Sequence, residues 1–360
     1  IDGLVYRVND LSKYKQIGFT SKYPKWAIAY KFKSLEAVTK IRDVTFQVGR
    51  TGTITPVAEL ETVNIGGVNV SRATLHNFSE IESKDIRIGD YVFVKRAGDV
   101  IPDIDRVDFN KRNKTKKINK PKYCPSCNSI LKKIDGQIAY KCLNAKKCLP
   151  QIEQSIIHFI SRKGANINGI GDQIIKELVA KKIICQSTDL YSLSENDFKK
   201  LDRVGDKSIS NYLNSIEKSK RINFDKFIYA LGIKEVGEAS SKSLARKFSD
   251  VTSFINCSID DLIQVSDIGP IVADNIINYL SDKDNLLNIK SLLKNGLKLV
   301  YKKSLDKNVS IVITGSLKSI SRSELTNKLE TLGYKVNSSI TKNTDILICG
   351  DNPGSKKDKA

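Results

Sequence analysis

The spacing of apolar residues changes several times along the chain, and each change predicts a change of architecture. Residues 1–8 and 26–32 alternate as two strands, which puts Tyr30 and Lys31 on opposite faces. Two strands cannot bury a core by themselves, so the rest of their sheet is expected upstream of Ile1. From 34 to 110 short apolar runs stand at 44–48, 54–60, 68–70 and 91–95, punctuated by Gly49, Gly52, Gly66-Gly67 and Gly98. That rhythm predicts a small β-barrel, with the OB-fold as the leading form.

Beyond Cys148 the period becomes helical and an internal repeat emerges. Ile170-Gly171, Val204-Gly205, Val236-Gly237 and Ile268-Gly269 recur at separations of 34, 32 and 32 residues. Polar-apolar helices follow at 172–179, 206–216, 238–248 and 270–280, and another apolar-periodic segment precedes each. This is a helix–hairpin–helix repeated four times; a helical solenoid that binds protein is the alternative. Glycine permits a tight hairpin and close approach of its backbone. The N–H groups opening the second helix then face outward, where the helix dipole favours an anion such as a DNA phosphate. Gly171, Gly205, Gly237 and Gly269 are therefore candidate DNA contacts.

A polar linker at 304–308 leads to an apolar strand at 309–317. An amphipathic helix follows at 321–332, with Ser321 as N-cap and Glu324 completing a capping box. Strands at 333–336 and 344–349 complete a small α/β module with a parallel sheet. The module stops at Ala360 without its last elements, and the chain starts at Ile1 and contains no Met. A chain cut at both ends is expected. The divisions fall at 1–33, 34–113, 114–150, 151–303 and 304–360.

Charge narrows the partners. A formal net charge of +20 and a pI near 9.5 favour nucleic acid, with an acidic membrane surface second. A lysine-rich composition without a specific partner is the bland alternative. No apolar run reaches the roughly 18 residues of a membrane helix, and no signal peptide opens the chain. Residues 111–150 hold twelve Lys or Arg against one acid, Asp135. Within that stretch Cys124-Pro125-Ser126-Cys127 is followed by fourteen residues, Cys142, five more and Cys148. Two close pairs on a short arm can set four thiolates around one ion, and zinc suits such a closed, structural S4 site. Four ordinary cysteines or two disulfides are the alternatives. Cys185, Cys257 and Cys349, in or beside apolar runs, are expected to be buried, reduced thiols of a cytosolic protein.

Other side chains invite chemistry. Arg7 and Lys31 each interrupt an apolar strand pattern and together suggest an anion at a sheet surface, whereas each alone would read as a solvated edge residue. Arg50, in Gln47-Val48-Gly49-Arg50-Thr51-Gly52, sits on a glycine-flanked loop suited to a phosphate, or on a plain hairpin. His76 reads as a structural histidine, and Thr314-Gly315 as a strand-end turn rather than a phosphate cradle shared with Lys356.

The order of these units resembles the bacterial NAD-dependent DNA ligases over essentially the whole chain. Ile1-Asp2-Gly3 and Ala29-Tyr30-Lys31-Phe32 look like the fourth and fifth nucleotidyltransferase motifs. Phe46-Gln47-Val48-Gly49-Arg50-Thr51-Gly52, Ala73-Thr74-Leu75-His76-Asn77 and Arg96-Ala97-Gly98-Asp99-Val100-Ile101-Pro102 are similar to the start, middle and end of the ligase OB-fold. The cysteine unit, hairpins and a truncated BRCT-like module follow in the family's order. The resemblance implies a multidomain α/β and α+β chain whose residues 1–33 end an adenylation domain. It also implies a monomer acting on nicked double-stranded DNA in the bacterial cytoplasm, at the nucleoid.

In such enzymes a lysine attacks NAD, AMP passes to the 5′-phosphate of the nick, and the 3′-hydroxyl displaces AMP. The resemblance gives Lys31 and Arg7 the task of stabilising non-bridging phosphate oxygens, Arg7 standing where the family usually has lysine. Zinc is structural, and Mg²⁺ is held largely by phosphates and upstream carboxylates. Lys133-Ile134-Asp135-Gly136 matches the attacking lysine's Lys-x-Asp-Gly pattern. It lies between the cysteine pairs, after the fourth and fifth motifs, and Asp135-Gly136 is a hairpin signal. Lys133 is therefore rejected, the nucleophile is expected upstream of Ile1, and the chain alone should not self-adenylate. The competing readings are a non-catalytic, zinc-containing DNA-repair scaffold and an RNA-processing nucleotidyltransferase; the latter does not explain four hairpins.

Overall fold

The computed structural model describes residues 3–20, 23–32, 34–96, 102–133, 139–301, 309–315, 317, 320–331, 334–337, 339–341 and 344–351. Ile1-Asp2, Ala97–Ile101 of the third barrel motif, Asp135-Gly136, the 304–308 linker and Lys356 lie outside them. The chain forms two compact units, Ile1–Ser219 with Lys294–Gly296, and Lys220–Leu293 with Leu297–Ala360.

In the first unit, β1 (Gly3–Arg7) and β2 (Ala27–Lys31) make an antiparallel ribbon with Gly3 opposite Lys31 and Arg7 opposite Ala27. The connection contains α1 (Tyr14–Ile17), whose Tyr14 ring stacks on Trp26 at 3.8 Å and 11°. Val5 and Ile28 lie on opposite faces of the ribbon and are 70% and 72% exposed, so neither face is buried in this unit.

The barrel comprises β3 (Leu35–Val48), β4 (Ile54–Ile65), β5 (Val68–Thr74), β7 (Tyr91–Arg96) and β8 (Asp103–Val107), closed in the order β3-β4-β5-β8-β7. A register irregularity between Ile41 and Asp43 lets the long β3 bend from pairing with β7 to pairing with β4. Alternate side chains, among them Ile41, Ala58, Leu75, Val92, Val94 and Ile104, fill the interior. The short α2 (Phe78–Ser83) contributes Phe78 and Ile81 to the same core; Asn77 caps it, accepting from the Glu80 N–H at 2.9 Å. Neither α2 nor β8 stands out in the sequence: six residues hold too few turns to show a period, and β8 places two acids among its five residues.

The barrel's exit is fixed by charge. Asp90, fully buried, accepts from Arg112 Nε at 2.8 Å and Nη2 at 2.7 Å, and from the Arg87 N–H. Arg112 also binds Asp85, and these carboxylates raise its pKa further above the ordinary range. The strands β6 (Arg87–Ile88) and β9 (Lys116–Lys117) then pair, and β10 (Leu131–Lys133) and β11 (Tyr140–Cys142) form an antiparallel hairpin. Helices α3 (Leu149–Ile160) and α4 (Asp172–Ala180) make the first αα-hairpin, α5 (Glu195–Phe198) and α6 (Asp206–Ser219) the second.

In the second unit, β12 (Arg221–Asn223) pairs in parallel with β13 (Lys298–Val300) around α7 (Phe224–Ala230), α8 (Glu238–Lys247), α9 (Val251–Ile255), α10 (Ile259–Ile263), α11 (Pro270–Ser281) and α12 (Lys283–Lys294). Phe224, Phe248 and Phe254 meet in its core. The C-terminal module is a parallel sheet of order β15-β14-β16, built from β14 (Ser310–Thr314), β15 (Lys335–Asn337) and β16 (Ile346–Cys349), with α13 (Arg322–Thr331). Ser321 and Glu324 form the expected reciprocal cap, at 3.1 and 3.2 Å. Gly315 is left-handed at φ +78, and a Cβ added there would lie 2.7 Å from the Asp351 carbonyl oxygen and 2.8 Å from that of Gly350.

One expectation fails. Cys185 and Cys349 are exposed and Cys257 is half-buried, although all are free thiols. Cys185 follows α4 in a loop, where its N–H donates to Asp189, and Cys349 ends a short strand. Nearby apolar letters had suggested burial that the local turns do not deliver. Burial pushes the Cys257 thiol up to about 11.

Candidate metal centre and nucleic-acid interface

Four cysteines converge from three local structures. Cys124 and Cys127 lie on a tight turn in which the Cys124 N–H donates to Ser129 O and the Asn128 N–H to Cys124 O, with Asn128 left-handed at φ 55. Cys142 ends β11, and Cys148 caps α3 with extended backbone. Their sulfurs all lie within 4.8 Å of one another. Cys124 and Cys148 Sγ are 3.8 Å apart, Cys127 and Cys142 Sγ 3.4 Å. A disulfide needs about 2.05 Å, whereas a tetrahedron with bonds of about 2.3 Å has edges near 3.8 Å. The sulfurs thus fit one tetrahedral ion and are not paired as disulfides. Cys124, Cys142 and Cys148 are buried with Ile54 and Leu131, and Cys127 is half-buried beside them.

The thiols divide electrostatically. Burial pushes Cys142 up to about 12 and Cys148 up as well. Burial also pushes on Cys127, but hydrogen bonds with Ser129, Cys142 and Cys124 outweigh it and bring it down to about 6. A dication among them would replace the protons with its own charge.

Arg50 lies half-buried on the turn between β3 and β4 and is itself engaged within the chain. The turn abuts the cysteines: the Cys142 N–H donates to Gly52 O at 2.9 Å, and Thr53 bridges to Lys141. This meeting of turn and cluster is absent from the sequence reading. It is made by backbone, and only the glycine at 52 hints at it.

The hairpins depart from their expected construction. Gly171, Gly237 and Gly269 are N-caps with ordinary extended backbone, φ −89, −94 and −89. The left-handed turn falls two residues earlier, on Gly169, Arg203, Glu235 and Asp267, at φ 90, 60, 62 and 67. A Cβ built on Gly171, Gly205, Gly237 or Gly269 would meet nothing within 4 Å. The fold therefore does not require glycine there; what the missing side chain leaves is open space in front of backbone N–H groups. Asp172, Asp206 and Glu238 follow three of these glycines and already suit the helix dipole. These tips offer an anion backbone donors, and at the second tip the exposed Arg203 and Lys207 flank Gly205 as well.

On the ribbon, Arg7 and Lys31 are exposed and share a face, because Gly3 opposite Lys31 and Arg7 opposite Ala27 fix the alternation. Their positions are four residue steps apart along the ribbon, about 13 Å. Lys133 is exposed at the end of β10, opposite Tyr140 in the finger hairpin. His76 is exposed and left-handed at φ 54, with Nε2 3.0 Å from Asp103 Oδ1. It is a hydrogen-bonded surface histidine.

A closed barrel, a thiol cluster and four open hairpin tips define a modular protein. Residues 1–35 match the NAD-dependent DNA ligase adenylation domain and 38–116 the NAD-dependent DNA ligase OB-fold domain. Residues 226–289 match the helix-hairpin-helix motif and 302–360 the BRCA1 C Terminus (BRCT) domain. The chain is 43% identical over 368 residues to a DNA ligase of Francisella philomiragia subsp. philomiragia, and 43% identical over 365 residues to one of Coxiella burnetii. Each alignment covers all of this chain and 54% of the relative. The chain is thus similar over its whole length to DNA ligases, and in residues 1–35 and 38–116 to domains of the NAD-dependent ones; it spans about half the length of the curated relatives it matches. No helix among the described residues is long and apolar enough to cross a membrane.

Proposed function

We propose that this chain is the DNA-binding half of an NAD-dependent ligase that seals nicks in duplex DNA through enzyme-AMP and DNA-adenylate intermediates. The observation that carries the reading is the set of four glycines at the hairpin tips whose missing side chains open onto empty space. Phosphates approaching there would be met by helix N-termini without any reading of sequence. Arg50 would add a contact from the barrel. The division at 1–33, 34–113, 114–150, 151–303 and 304–360 is kept as the domain arrangement.

Lys31 and Arg7, on one face of the ribbon, would bracket the phosphate of the adenylate and stabilise charge on its non-bridging oxygens. Cys124, Cys127, Cys142 and Cys148 would hold zinc, whose chemistry here is cross-linking: it fixes the finger against the barrel and opens no coordination position. Magnesium would arrive with the phosphates. Lys133 stays a finger residue, and the attacking lysine is to be sought in the half of the relatives' length that this chain does not span. The match of residues 1–35 to an adenylation domain speaks against a non-catalytic scaffold. In this reading the protein acts as a monomer in the bacterial cytoplasm, at the nucleoid.

Incubating the chain with adenylate-labelled NAD and Mg²⁺ tests the assignment of Lys133. No label is expected on the chain; label on Lys133 would contradict the reading. Replacing Gly171, Gly205, Gly237 and Gly269 one at a time by Ser tests the hairpin tips. Serine fits the N-cap backbone, so weaker DNA binding with unchanged folding is expected.

A further inference from the structure

The turn that carries Arg50 is held from two sides. Toward the barrel, the Gly49 N–H donates to Thr53 O and the Gly52 N–H to Gly49 O, both at 2.9 Å. Toward the finger, Gly52 O accepts from the Cys142 N–H. Gly52 is buried and left-handed at φ +76, and an added Cβ would lie 2.1 Å from the Cys142 carbonyl oxygen and 3.0 Å from Gln151 Oε1. Gln151, only 4% exposed, donates from Nε2 to that same carbonyl at 3.1 Å. Its backbone N–H donates to the Cys148 carbonyl at 2.9 Å.

One buried residue therefore touches two of the four thiol-bearing residues and lies beside the last glycine of the Arg50 turn. Four sulfurs already complete a tetrahedral ligand set, so Gln151 is not needed to count ligands. Its bonds satisfy a buried carbonyl and restrict where Cys142 can sit. Because the Cys142 peptide is also the hydrogen-bond partner of Gly52, a shift of the cysteine moves the turn. Ile54, the first residue of β4, packs among the cysteines and stiffens the same joint.

We propose that Gln151 is a positioning residue: together with the Cys142 backbone it carries the geometry of the filled metal cluster onto residues 49–52 and so fixes where Arg50 meets the DNA backbone. The inference rests on the reading of Arg50 as a DNA contact. It gives the metal a second consequence, since the cluster would orient a cation on the neighbouring barrel as well as hold the finger together.

The test uses the whole chain loaded with Co²⁺, whose thiolate charge-transfer bands report the cluster. Affinity for nicked duplex is measured against salt for the wild type, Arg50→Ala, Gln151→Met and the double variant. Arg50→Ala and Gln151→Met are each expected to weaken binding about tenfold and to lower the salt slope by about 0.9. The cobalt bands should persist in Gln151→Met, and the double variant should bind no more weakly than Arg50→Ala alone. Gly52→Ala, which forces the turn off the Cys142 carbonyl with Gln151 intact, should give the same non-additive loss.

Losses that multiply in the double variant, or a Gln151→Met chain with wild-type affinity, would overturn the proposal. So would loss of the cobalt bands in Gln151→Met, which would make Gln151 a support of the cluster alone. If Arg50→Ala itself binds normally, the DNA-contact reading of Arg50 fails first and this inference with it.

Discussion

Asp90 and Arg112 show what a single pair contributes at the end of the barrel. The carboxylate is fully buried and both its oxygens are taken by one guanidinium. Removing the guanidinium would strand a charge in the interior, a costlier event than losing the pair together. Arg112→Leu should therefore lower unfolding free energy by about 3 kcal/mol. Urea denaturation of the two chains measures this, and a loss below about 1 kcal/mol would mean that water reaches Asp90. Nothing in the sequence marks this pair, because its partners lie twenty-two positions apart among many charges. The four cysteines are the opposite case. Their spacing named the cluster, since thiolates at close-paired positions have few other uses, and the sulfur distances agree with it. Cys127→Ser should weaken metal retention and DNA binding and open the finger to protease; unchanged affinity and digestion would refute its structural role.

Among elements, legibility followed length and regularity. Apolar runs within β3, β4, β5 and β7 are visible as patterns, as are the hairpin helices α4, α6, α8 and α11, which run nine to fourteen residues; the barrel strand β8 and the first half of β3 are not. The pair β12–β13 was not: three residues in each strand carry no period, and their partners are 77 positions apart in register. The hairpin turns were read in the right place but with the wrong residue bending the chain. Arg203, Glu235 and Asp267 take the left-handed backbone of the tight turn, which the pattern credited to the glycines two residues on. The glycines that open the second helices are thereby freed from a folding role. Gly205→Ser should leave the thermal midpoint within about 2 °C, because serine and glycine differ by only a few tenths of a kcal/mol as caps. Its affinity for duplex DNA should nonetheless fall several-fold. A large drop in midpoint would instead show that the glycine serves the hairpin itself.

At the scale of the molecule, the charge of +20 is distributed over units that present backbone donors and basic loops. DNA binding by such units would be driven by release of counterions and would carry no sequence preference. The family was legible because several short motifs stand in one order; each alone was open to a plain reading. The joint between Gly52, Cys142 and Gln151 stayed hidden, since it depends on backbone atoms brought together only by folding. The central claim is that DNA is held at the four open hairpin tips. Its most direct measurement is the affinity for nicked duplex over a range of salt, for the wild type and for a chain with Gly171, Gly205, Gly237 and Gly269 all changed to Ser. The account predicts a steep decline of affinity with salt for the wild type. For the variant it predicts weaker binding and a slope shallower by about 0.9 for each phosphate no longer engaged, with the fold intact by circular dichroism. Equal affinity and equal slope in the two chains would contradict it.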